Sequence, residues 1–378
     1  MTLIAAGAVA LERGICRPGW VATDGDRIGA CGAGPPPRPA DVDMPGALVV
    51  PGSVDMHAHG GGGGSYTGGD VADISRAAEF HRRHGTTTTL ASLVTAPPDN
   101  LLTAVAALAE STRVGTVAGI HLEGPWLSAS YCGAHDREQL RNPEPAEIDA
   151  LLAAGDGAIR MVTLAPELPG SHAAIARFVE AGVVVAVGHT DAGYEQTCQA
   201  IALGATVGTH LFNAMRPLHH REPGPALALL QDPRVTVELI ADGVHVHPAM
   251  LRAVIEAAGI GRVALVTDAT AAAGLGDGEF RLGTMQIEVV DQVARVRGTS
   301  TIAGSTATMD QLFRAAAGLG SNSDAALAAA VQMTSTTPAR AVGLDHVGIL
   351  RAGFAANLVV LDQDLQVARV MADGQWWV

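Results

Sequence analysis

The sequence predicts an α/β protein in which a (β/α)8 TIM barrel is accompanied by a small β-sandwich domain formed from both chain ends. Eight short apolar or β-branched runs follow one another between residues 47 and 268, and most of them precede an alanine-rich segment of helical period. Strand-like runs interrupted by glycine and proline occur at both ends, which predicts the β domain. A doubly wound sheet is disfavoured because the Gly-x-Gly-x-x-Gly fingerprint is missing.

The predicted strands alternate with helices along the barrel. Strands are expected at about residues 47–57, 86–93, 116–123, 159–165, 183–189, 205–211, 235–241 and 263–268. Helices are expected at 71–84, 99–111, 145–154, 171–181, 192–203 and 248–258, and Gly182, Gly204 and Gly259 are suited to end three of them. Eight strand-then-helix units in succession favour closure into a barrel.

The chain is expected to divide into three segments. Residues 1–50 and 343–378 are the N-terminal and C-terminal parts of the small β domain, and residues 51–342 form the barrel. A turn-rich stretch near 274–300 predicts a β-hairpin insertion after the eighth strand. The glycine run at 60–64 is expected to be a mobile loop and not a phosphate cradle, because no Lys-Ser or Lys-Thr follows it.

Composition excludes several classes of function. The 378 residues carry a net charge of -14 with no basic block, which argues against a nucleic-acid or anionic-membrane partner and leaves a small molecule. No lysine is present, so Schiff-base, pyridoxal and P-loop chemistry are excluded. The four cysteines are scattered and the first residues lack a signal-peptide pattern, so we expect a soluble cytoplasmic protein.

Metal-ligating residue types follow the predicted strands. His57 and His59 point to the same side of the first strand because side chains alternate along it. Other candidates stand where later strands end, and in a barrel those ends meet at one face. They are Glu123 after the third strand, His189 after the fifth, His210 after the sixth and Asp268 after the eighth. Imidazoles together with carboxylates predict a metal site there.

The same residue types suggest a division of roles. Because no lysine is available as a carboxylated bridge, Glu123 is expected to bridge two ions. His189 and His210 then complete one site, and His57 and His59 complete the other. A bound divalent ion lowers the pKa of its water to about 7. Asp268 is placed to take the proton of that water as general base and to return it as general acid.

Longer motifs give the chain a resemblance to the amidohydrolase superfamily and, more narrowly, to its N-acetylglucosamine-6-phosphate deacetylase family. The wider resemblance rests on Pro-Gly-x-x-Asp-x-His-x-His at residues 51–59 and on the pattern at 348–362. The narrower one rests on ordered motifs that span most of the chain. They are His121-Leu122-Glu123-Gly124-Pro125-Trp126, Gly188-His189-Thr190, Thr209-His210-Leu211-Phe212-Asn213-Ala214-Met215, Arg221-Glu222-Pro223-Gly224, Asp242-Gly243-Val244-His245-Val246 and Ala303-Gly304-Ser305.

The resemblance implies hydrolysis of the acetamide of N-acetyl-D-glucosamine 6-phosphate to acetate and D-glucosamine 6-phosphate, a reaction of amino-sugar catabolism or cell-wall recycling. It implies catalytic roles for Asp268 and for His135, which polarises the acetyl carbonyl. It also implies a homodimer, because the arginine matching Arg221 reaches the phosphate bound by the neighbouring subunit. The implied substrate contacts are Ala134, His135, Asn213, Ala214, Arg221, His245, Ile302, Ala303 and Gly304.

Several alternatives remain open. The chain has Tyr131 and Cys132 where the family commonly has a basic residue, so the loop before His135 is expected to differ in shape. Zinc is the preferred cofactor, with iron, cobalt and manganese also compatible with imidazole and carboxylate ligands, and one or two ions per chain fit the pattern. The competing functions are an amidohydrolase acting on N-acyl amino acids or cyclic amides, and a non-catalytic sugar-phosphate-binding homologue.

Overall fold

The computed structural model describes residues 1–377. Within this range the strands in chain order are β1 (Thr2–Leu11), β2 (Gly14–Cys16), β3 (Gly19–Asp24), β4 (Arg27–Ala33), β5 (Val42–Pro51), β6 (Ser53–Ala58), β7 (Gly60–Gly61), β8 (Gly64–Ser65), β9 (Thr86–Leu93), β10 (Gly119–Glu123), β11 (Ile159–Leu164), β12 (Val184–Val187), β13 (Ala205–Gly208), β14 (Thr236–Leu239), β15 (Val263–Leu265), β16 (Gly278–Leu282), β17 (Met285–Val290), β18 (Val293–Val296), β19 (Leu358–Leu361), β20 (Val367–Ala372) and β21 (Gln375–Trp376).

A helix follows each barrel strand from β6 to β14, and three more helices follow β18. The helices are α1 (Val71–Arg83), α2 (Pro98–Arg113), α3 (Pro145–Gly155), α4 (Ser171–Glu180), α5 (Tyr194–Ala202), α6 (Gly224–Gln231), α7 (Pro248–Ala258), α8 (Met309–Gly318), α9 (Asp324–Val331) and α10 (Thr337–Ala341). Short helical turns at Arg137–Gln139, Ile260–Arg262 and Gln332–Thr336 complete the helical structure of the described residues. None of these helices is long and apolar enough to cross a lipid bilayer.

The chain folds as two compact units. One contains Met1–Asp55, Glu79–Thr88 and the described residues from Thr308 onward, and the other contains Met56–Ala78 and Thr89–Ala307. The first holds an eight-stranded sheet with the order β21-β20-β19-β5-β1-β3-β4, in which β2 pairs with β1. Both chain ends therefore contribute to one β unit, and this prediction is confirmed. Its apolar core includes Ile4, Val9, Val49 and Leu358.

The barrel sheet has the strand order β6-β9-β10-β11-β12-β13-β14-β15, and the paired strands from β9 to β15 are parallel. Backbone hydrogen bonds join the residues after β15 to the end of β6. The Asp268 N–H donates to the His57 carbonyl at 2.8 Å, and the His59 N–H donates to the Ala269 carbonyl at 2.8 Å. The predicted (β/α)8 barrel is thus confirmed, with irregular backbone at the closing seam.

The first barrel strand differs from the prediction. The single strand expected at 47–57 is two strands, because β5 belongs to the sheet of the chain ends and β6 begins the barrel. Pro51 offers no N–H for continued pairing. At Gly52 a Cβ would lie 2.1 Å from the Thr87 hydroxyl oxygen, so only glycine permits this close approach. A continuous apolar run does not mark the point where the chain changes sheets.

The insertion after β15 is a three-stranded antiparallel sheet, β16-β17-β18. Leu282, Ile287, Val289 and Ala294 form its buried face together with residues that include Ala303. The residue boundaries expected for the β domain and the barrel stay predictions. The barrel places the ends of β6, β10, β12, β13 and β15 on one face, as expected for parallel strands that close on themselves.

Candidate active site

Six predicted side chains meet at the carboxyl ends of the barrel strands. Three of them follow their strands in left-handed backbone conformations, at φ 49° for His189, 27° for His210 and 48° for Asp268. Residues other than glycine rarely adopt such angles, and they concentrate at functional sites. The other three extend from or directly follow their strands. They are His57 in β6, His59 one residue beyond it and Glu123 at the end of β10.

Glu123 lies at the centre of this cluster and is only 2% exposed. Its Oε1 is 3.1 Å from Nε2 of His189 and 3.1 Å from Nε2 of His210. Its Oε2 is 3.1 Å from Nε2 of His59, and its Oε1 is 3.4 Å from Nε2 of His57. One carboxylate therefore faces both pairs of histidines, which is the arrangement that a bridging ligand requires.

Asp268 faces the pair formed by His57 and His59. Its Oδ1 is 3.2 Å from Nε2 of His59 and 3.5 Å from Nε2 of His57. The two imidazole Nε2 atoms are themselves 3.3 Å apart. Asp268 is 7% exposed and borders the cavity described below, so its carboxylate is accessible to a small molecule.

Hydrogen bonds at Nδ1 indicate which ring nitrogen carries the proton in three of the histidines. In each case Nδ1 contacts an oxygen that only accepts hydrogen bonds, so Nδ1 is the protonated, donating nitrogen. The opposite nitrogen, Nε2, is directed at the carboxylates. The acceptors are the Glu238 carboxylate for His57 at 3.0 Å, the Ser92 carbonyl for His59 at 3.1 Å and the Tyr131 carbonyl for His189 at 3.0 Å.

The electrostatics of the cluster keep its carboxylates ionised. Burial alone raises the pKa of Glu123, but the charge of the His57 imidazole leads the interactions that outweigh burial and hold that pKa well below its usual range. For Asp268 burial likewise raises the pKa, and His57 and His59 outweigh this and lower it. Both residues therefore carry negative charge at neutral pH.

The histidines that face these carboxylates differ in charge. Burial lowers the pKa of His59, but hydrogen bonds to Asp268 and Glu123 prevail and raise it to about 9. His189 responds differently, because burial lowers its pKa to about 4 and leaves it neutral at pH 7. With Nδ1 donating to a carbonyl, the Nε2 of His189 presents a lone pair to a carboxylate oxygen 3.1 Å away. Two acceptors face each other there, which a cation between them relieves.

The donor set therefore fits divalent metal ions. Two groups of three side chains have ligand atoms that all lie within 4.8 Å of one another. One group is His57, His59 and Glu123, and the other is Glu123, His189 and His210. Neutral imidazoles and carboxylates suit zinc and other first-row divalent metals. Both groups are buried, and they share Glu123.

His135 also contacts the cluster, and its tautomer is the opposite of the one in His189. Its Nδ1 accepts a hydrogen bond from the Thr95 backbone N–H at 3.2 Å, so its proton is on Nε2. That nitrogen is 3.3 Å from Oε2 of Glu123. His135 thus presents a donor toward the centre, whereas neutral His189 presents a lone pair there. This distinguishes it from the candidate ligands.

A cavity of about 280 Å³ opens beside the cluster. Seven of the nine residues predicted to contact substrate line it, namely Ala134, His135, Asn213, Ala214, His245, Ile302 and Gly304. The other two do not. Ala303 is fully buried against the β16-β17-β18 sheet, and Arg221 is exposed on a loop, where its Nη1 lies 2.7 Å from Nε2 of His220.

His245 is held toward the cavity by a carboxylate three residues earlier. Asp242 accepts the His245 Nδ1–H at 2.7 Å and the backbone N–H groups of Val244 and His245 at 2.9 Å. The Nδ1 nitrogen is occupied in this way, so Nε2 is the nitrogen available to a ligand. His245 remains a predicted substrate contact.

Sequence reasoning missed several residues of the site. Glu238 is fully buried and hydrogen-bonds to both His57 and His210, yet it was not predicted. A signal existed, because it is the one charged residue in an otherwise apolar and β-branched strand at 235–240. Leu282, Ser300 and Thr301 also line the cavity, and no pattern indicated that the inserted sheet contributes to it.

Comparison with known proteins agrees with this geometry. The model of the amidohydrolase family matches residues 48–377. The chain is 38% identical over 351 residues to the N-acetylglucosamine-6-phosphate deacetylase of Danio rerio, covering 88% of this chain and 85% of that protein. It is 37% identical over 346 residues to the N-acetylgalactosamine-6-phosphate deacetylase of Escherichia coli O157:H7, covering 90% of each.

Solved structures give the same assignment. The crystal structure of N-acetyl-D-glucosamine-6-phosphate deacetylase from Mycobacterium smegmatis is 54% identical, covers all of both chains and superposes with a TM-score of 0.98. A mutant of that enzyme with aspartate replaced by alanine, solved in complex with N-acetyl-D-glucosamine-6-phosphate, has a TM-score of 0.97 at 54% identity over 99% of this chain and 98% of that one. The resemblance seen in the sequence motifs is confirmed. The chain belongs to the amidohydrolase family and, within it, to the N-acetylglucosamine-6-phosphate deacetylases.

Proposed function

We propose that this protein hydrolyses the acetamide of N-acetyl-D-glucosamine 6-phosphate and releases acetate and D-glucosamine 6-phosphate. The observation that carries the proposal is one cavity bordered by a candidate metal ligand set, an ionised aspartate and a histidine N–H donor. Amide hydrolysis needs all three, because water must be activated, the carbonyl polarised and the leaving amine protonated. The substrate is inferred from that of the relatives. The corresponding process is amino-sugar catabolism or cell-wall recycling.

The proposed cofactor is zinc. Glu123, His189 and His210 would hold one ion, and His57, His59 and Glu123 would hold a second. A divalent ion bound there would polarise a carbonyl and lower the pKa of water to about 7. The choice of zinc over iron, cobalt or manganese rests on its preference for imidazole-rich sites.

Asp268 is the proposed general base and acid. It is ionised at neutral pH, since His57 and His59 lower its pKa, and its carboxylate borders the cavity. It accepts the proton of the attacking water and afterwards donates it to the amine nitrogen as the C–N bond breaks. The backbone at Asp268 is left-handed, and its carboxylate lies 3.2 Å from Nε2 of His59.

His135 is the proposed donor to the acetyl carbonyl. The Thr95 N–H fixes the proton of His135 on Nε2, so a neutral imidazole can donate toward the centre. A donor placed there stabilises the negative charge that develops on the carbonyl oxygen in the transition state.

The phosphate and sugar are proposed to contact Asn213, the Ala214 backbone, His245 and the 302–304 segment. All except Ala303 border the cavity, and backbone N–H groups add donors without adding net charge. Arg221 is proposed to reach the phosphate in the neighbouring subunit of a homodimer. Its exposure on this chain supports that role, because a guanidinium that does not line its own cavity is available to a second one.

The proposed location is the cytoplasm. All four cysteines are free and none is placed in a disulfide, which suits a reducing compartment.

Steady-state kinetics on matched substrates test the function. We expect kcat/KM for N-acetyl-D-glucosamine 6-phosphate to exceed that for the unphosphorylated sugar by at least about 100-fold, since the lost charge-assisted hydrogen bonds are each worth about 1.5 to 3 kcal/mol. The 4-epimer, N-acetyl-D-galactosamine 6-phosphate, measures sugar selectivity in the same assay. Equal rates with and without the phosphate, or faster cleavage of N-acyl amino acids, would overturn the assignment.

A further inference from the structure

Glu238 is a buried carboxylate that the proposed reaction does not use. It lies in β14, a strand of the barrel, and is fully buried. Among residues 1–377 no arginine forms an ion pair with it, and its charged contact is with His57. A carboxylate is costly to bury without compensating positive charge. The contacts of Glu238 with the histidine cluster must therefore account for its burial.

The contacts of Glu238 join the two candidate metal groups. Its Oε2 accepts the His57 Nδ1–H at 3.0 Å and the His210 backbone N–H at 3.1 Å. His57 belongs to one group and His210 to the other. Its second oxygen, Oε1, has no hydrogen-bond partner in the described part of the chain. Both bonds of the buried charge are thus directed to this cluster.

The bond to His57 has a chemical consequence that the other histidines lack. His59 and His189 donate Nδ1–H to neutral carbonyls, whereas His57 donates to an anionic carboxylate. A carboxylate partner fixes the ring orientation and protonation state and also makes the opposite nitrogen a stronger metal ligand. The contact with His210 is to its backbone and leaves the imidazole of that residue untouched. The electronic effect therefore falls on the His57 group alone.

We infer that Glu238 is a positioning residue that sets the affinity of the His57–His59–Glu123 group for a divalent cation. Through His57 it determines whether the chain operates with one ion or with two. This inference rests on the metal dependence of the proposed function, but it does not depend on the substrate.

Metal titration of the full-length apoprotein tests the inference without any substrate. The wild type and Glu238→Gln are titrated with zinc by calorimetry and with cobalt by visible absorption, and bound ions per chain are counted after dialysis. Glutamine keeps an oxygen that can accept both hydrogen bonds and removes the charge. We expect the variant to bind one ion as the wild type does and the second about 10- to 100-fold more weakly. The cobalt absorption of the second site should change with it.

Glu147→Gln is the matched control. Glu147 accepts hydrogen bonds from Trp126 Nε1 at 3.2 Å and Arg141 Nε at 2.9 Å and belongs to neither ligand set, so both zinc affinities should stay at the wild-type values. If Glu238→Gln does not fold, Glu238→Asp replaces it, because it keeps the charge but withdraws it from His57, and the same single site should weaken.

Three results would overturn the inference. The first is unchanged affinity for both ions in the Glu238 variants. The second is equal weakening of both sites, which would indicate a general structural role. The third is a wild type that binds one ion per chain, with the same count in the His57→Gln variant. A protein that binds two ions as expected but releases no acetate would leave this inference standing and would refute only the proposed function.

Discussion

Replacing Asp268 by asparagine separates the proposed proton transfer from everything else that this residue does. The backbone of Asp268 donates to the His57 carbonyl at 2.8 Å and accepts from the Ser305 N–H at 2.7 Å, and the substitution keeps both bonds. Asparagine also tolerates the left-handed conformation at φ 48°. The fold should therefore persist. An ion bound by Glu123, His189 and His210 should also remain, because Asp268 is not a member of that group.

The expected loss follows from the chemistry that asparagine cannot perform. An amide does not accept the proton of water or deliver it to an amine near neutral pH, and positioned acid–base catalysis contributes about 100- to 10,000-fold. The transition-state barrier should therefore rise by about 2.7 to 5.4 kcal/mol. The loss should appear in kcat, because Asp268 acts on the reacting atoms and is not a proposed phosphate contact.

Acetate release at saturating N-acetyl-D-glucosamine 6-phosphate measures this effect, with metal content and thermal unfolding recorded on the same samples. Asp156→Asn is a suitable control, since Asp156 is also left-handed at φ 43° and is exposed at the end of α3. It should keep wild-type kcat. If Asp268→Asn retains near-normal kcat with a full metal complement, the assigned role is refuted.

Three further outcomes are expected. His57→Gln combined with His59→Gln should lower the count by one ion per chain and keep the other, and an unchanged count by metal analysis would contradict the two-group assignment. Arg221→Ala should raise KM for the phosphorylated substrate about 10- to 150-fold at unchanged kcat, since a charge-assisted hydrogen bond contributes about 1.5 to 3 kcal/mol; unchanged KM would exclude phosphate contact. Burial raises the pKa of Asp310, but its hydrogen bond with His84 leads the interactions that lower it to about 2. Because this folded-state pKa lies below the unfolded one, Asp310→Asn should cost about 2 kcal/mol of unfolding free energy at pH 7, and chemical denaturation should show the difference from wild type fading as the pH falls from about 4 to 2.

Much of the fold was predictable because hydrophobic periodicity, together with the glycine and proline residues between the runs, indicates each barrel strand in turn. The runs at 86–93 and 159–165 match β9 and β11 within a residue, and 248–258 matches α7. The failure at the first barrel strand has a physical cause. The run at 47–57 continues without a change in hydrophobicity while the chain passes from one sheet to another at Pro51-Gly52. That transition depends on the close approach of Thr87, which is distant in sequence.

The candidate site was predictable in its members but not in its chemistry. Strand-end positions identified His57, His59, Glu123, His189 and His210, which the structure brings together. The protonation of each ring depends on contacts that no local pattern reveals, such as the carbonyls of Ser92 and Tyr131 and the N–H of Thr95. Glu238 escaped prediction for the same reason, because its importance lies in what it touches.

The central claim is that water, activated at the cluster around Glu123, cleaves the acetamide of N-acetyl-D-glucosamine 6-phosphate. The most direct measurement incubates the metal-loaded protein with this compound in water enriched in oxygen-18 and analyses the products by mass spectrometry. Acetate and D-glucosamine 6-phosphate should form in equal amounts, each acetate should carry one solvent oxygen, and Glu123→Gln should abolish the reaction. Absence of acetate from the metal-loaded wild type, or acetate without solvent oxygen, would contradict the account.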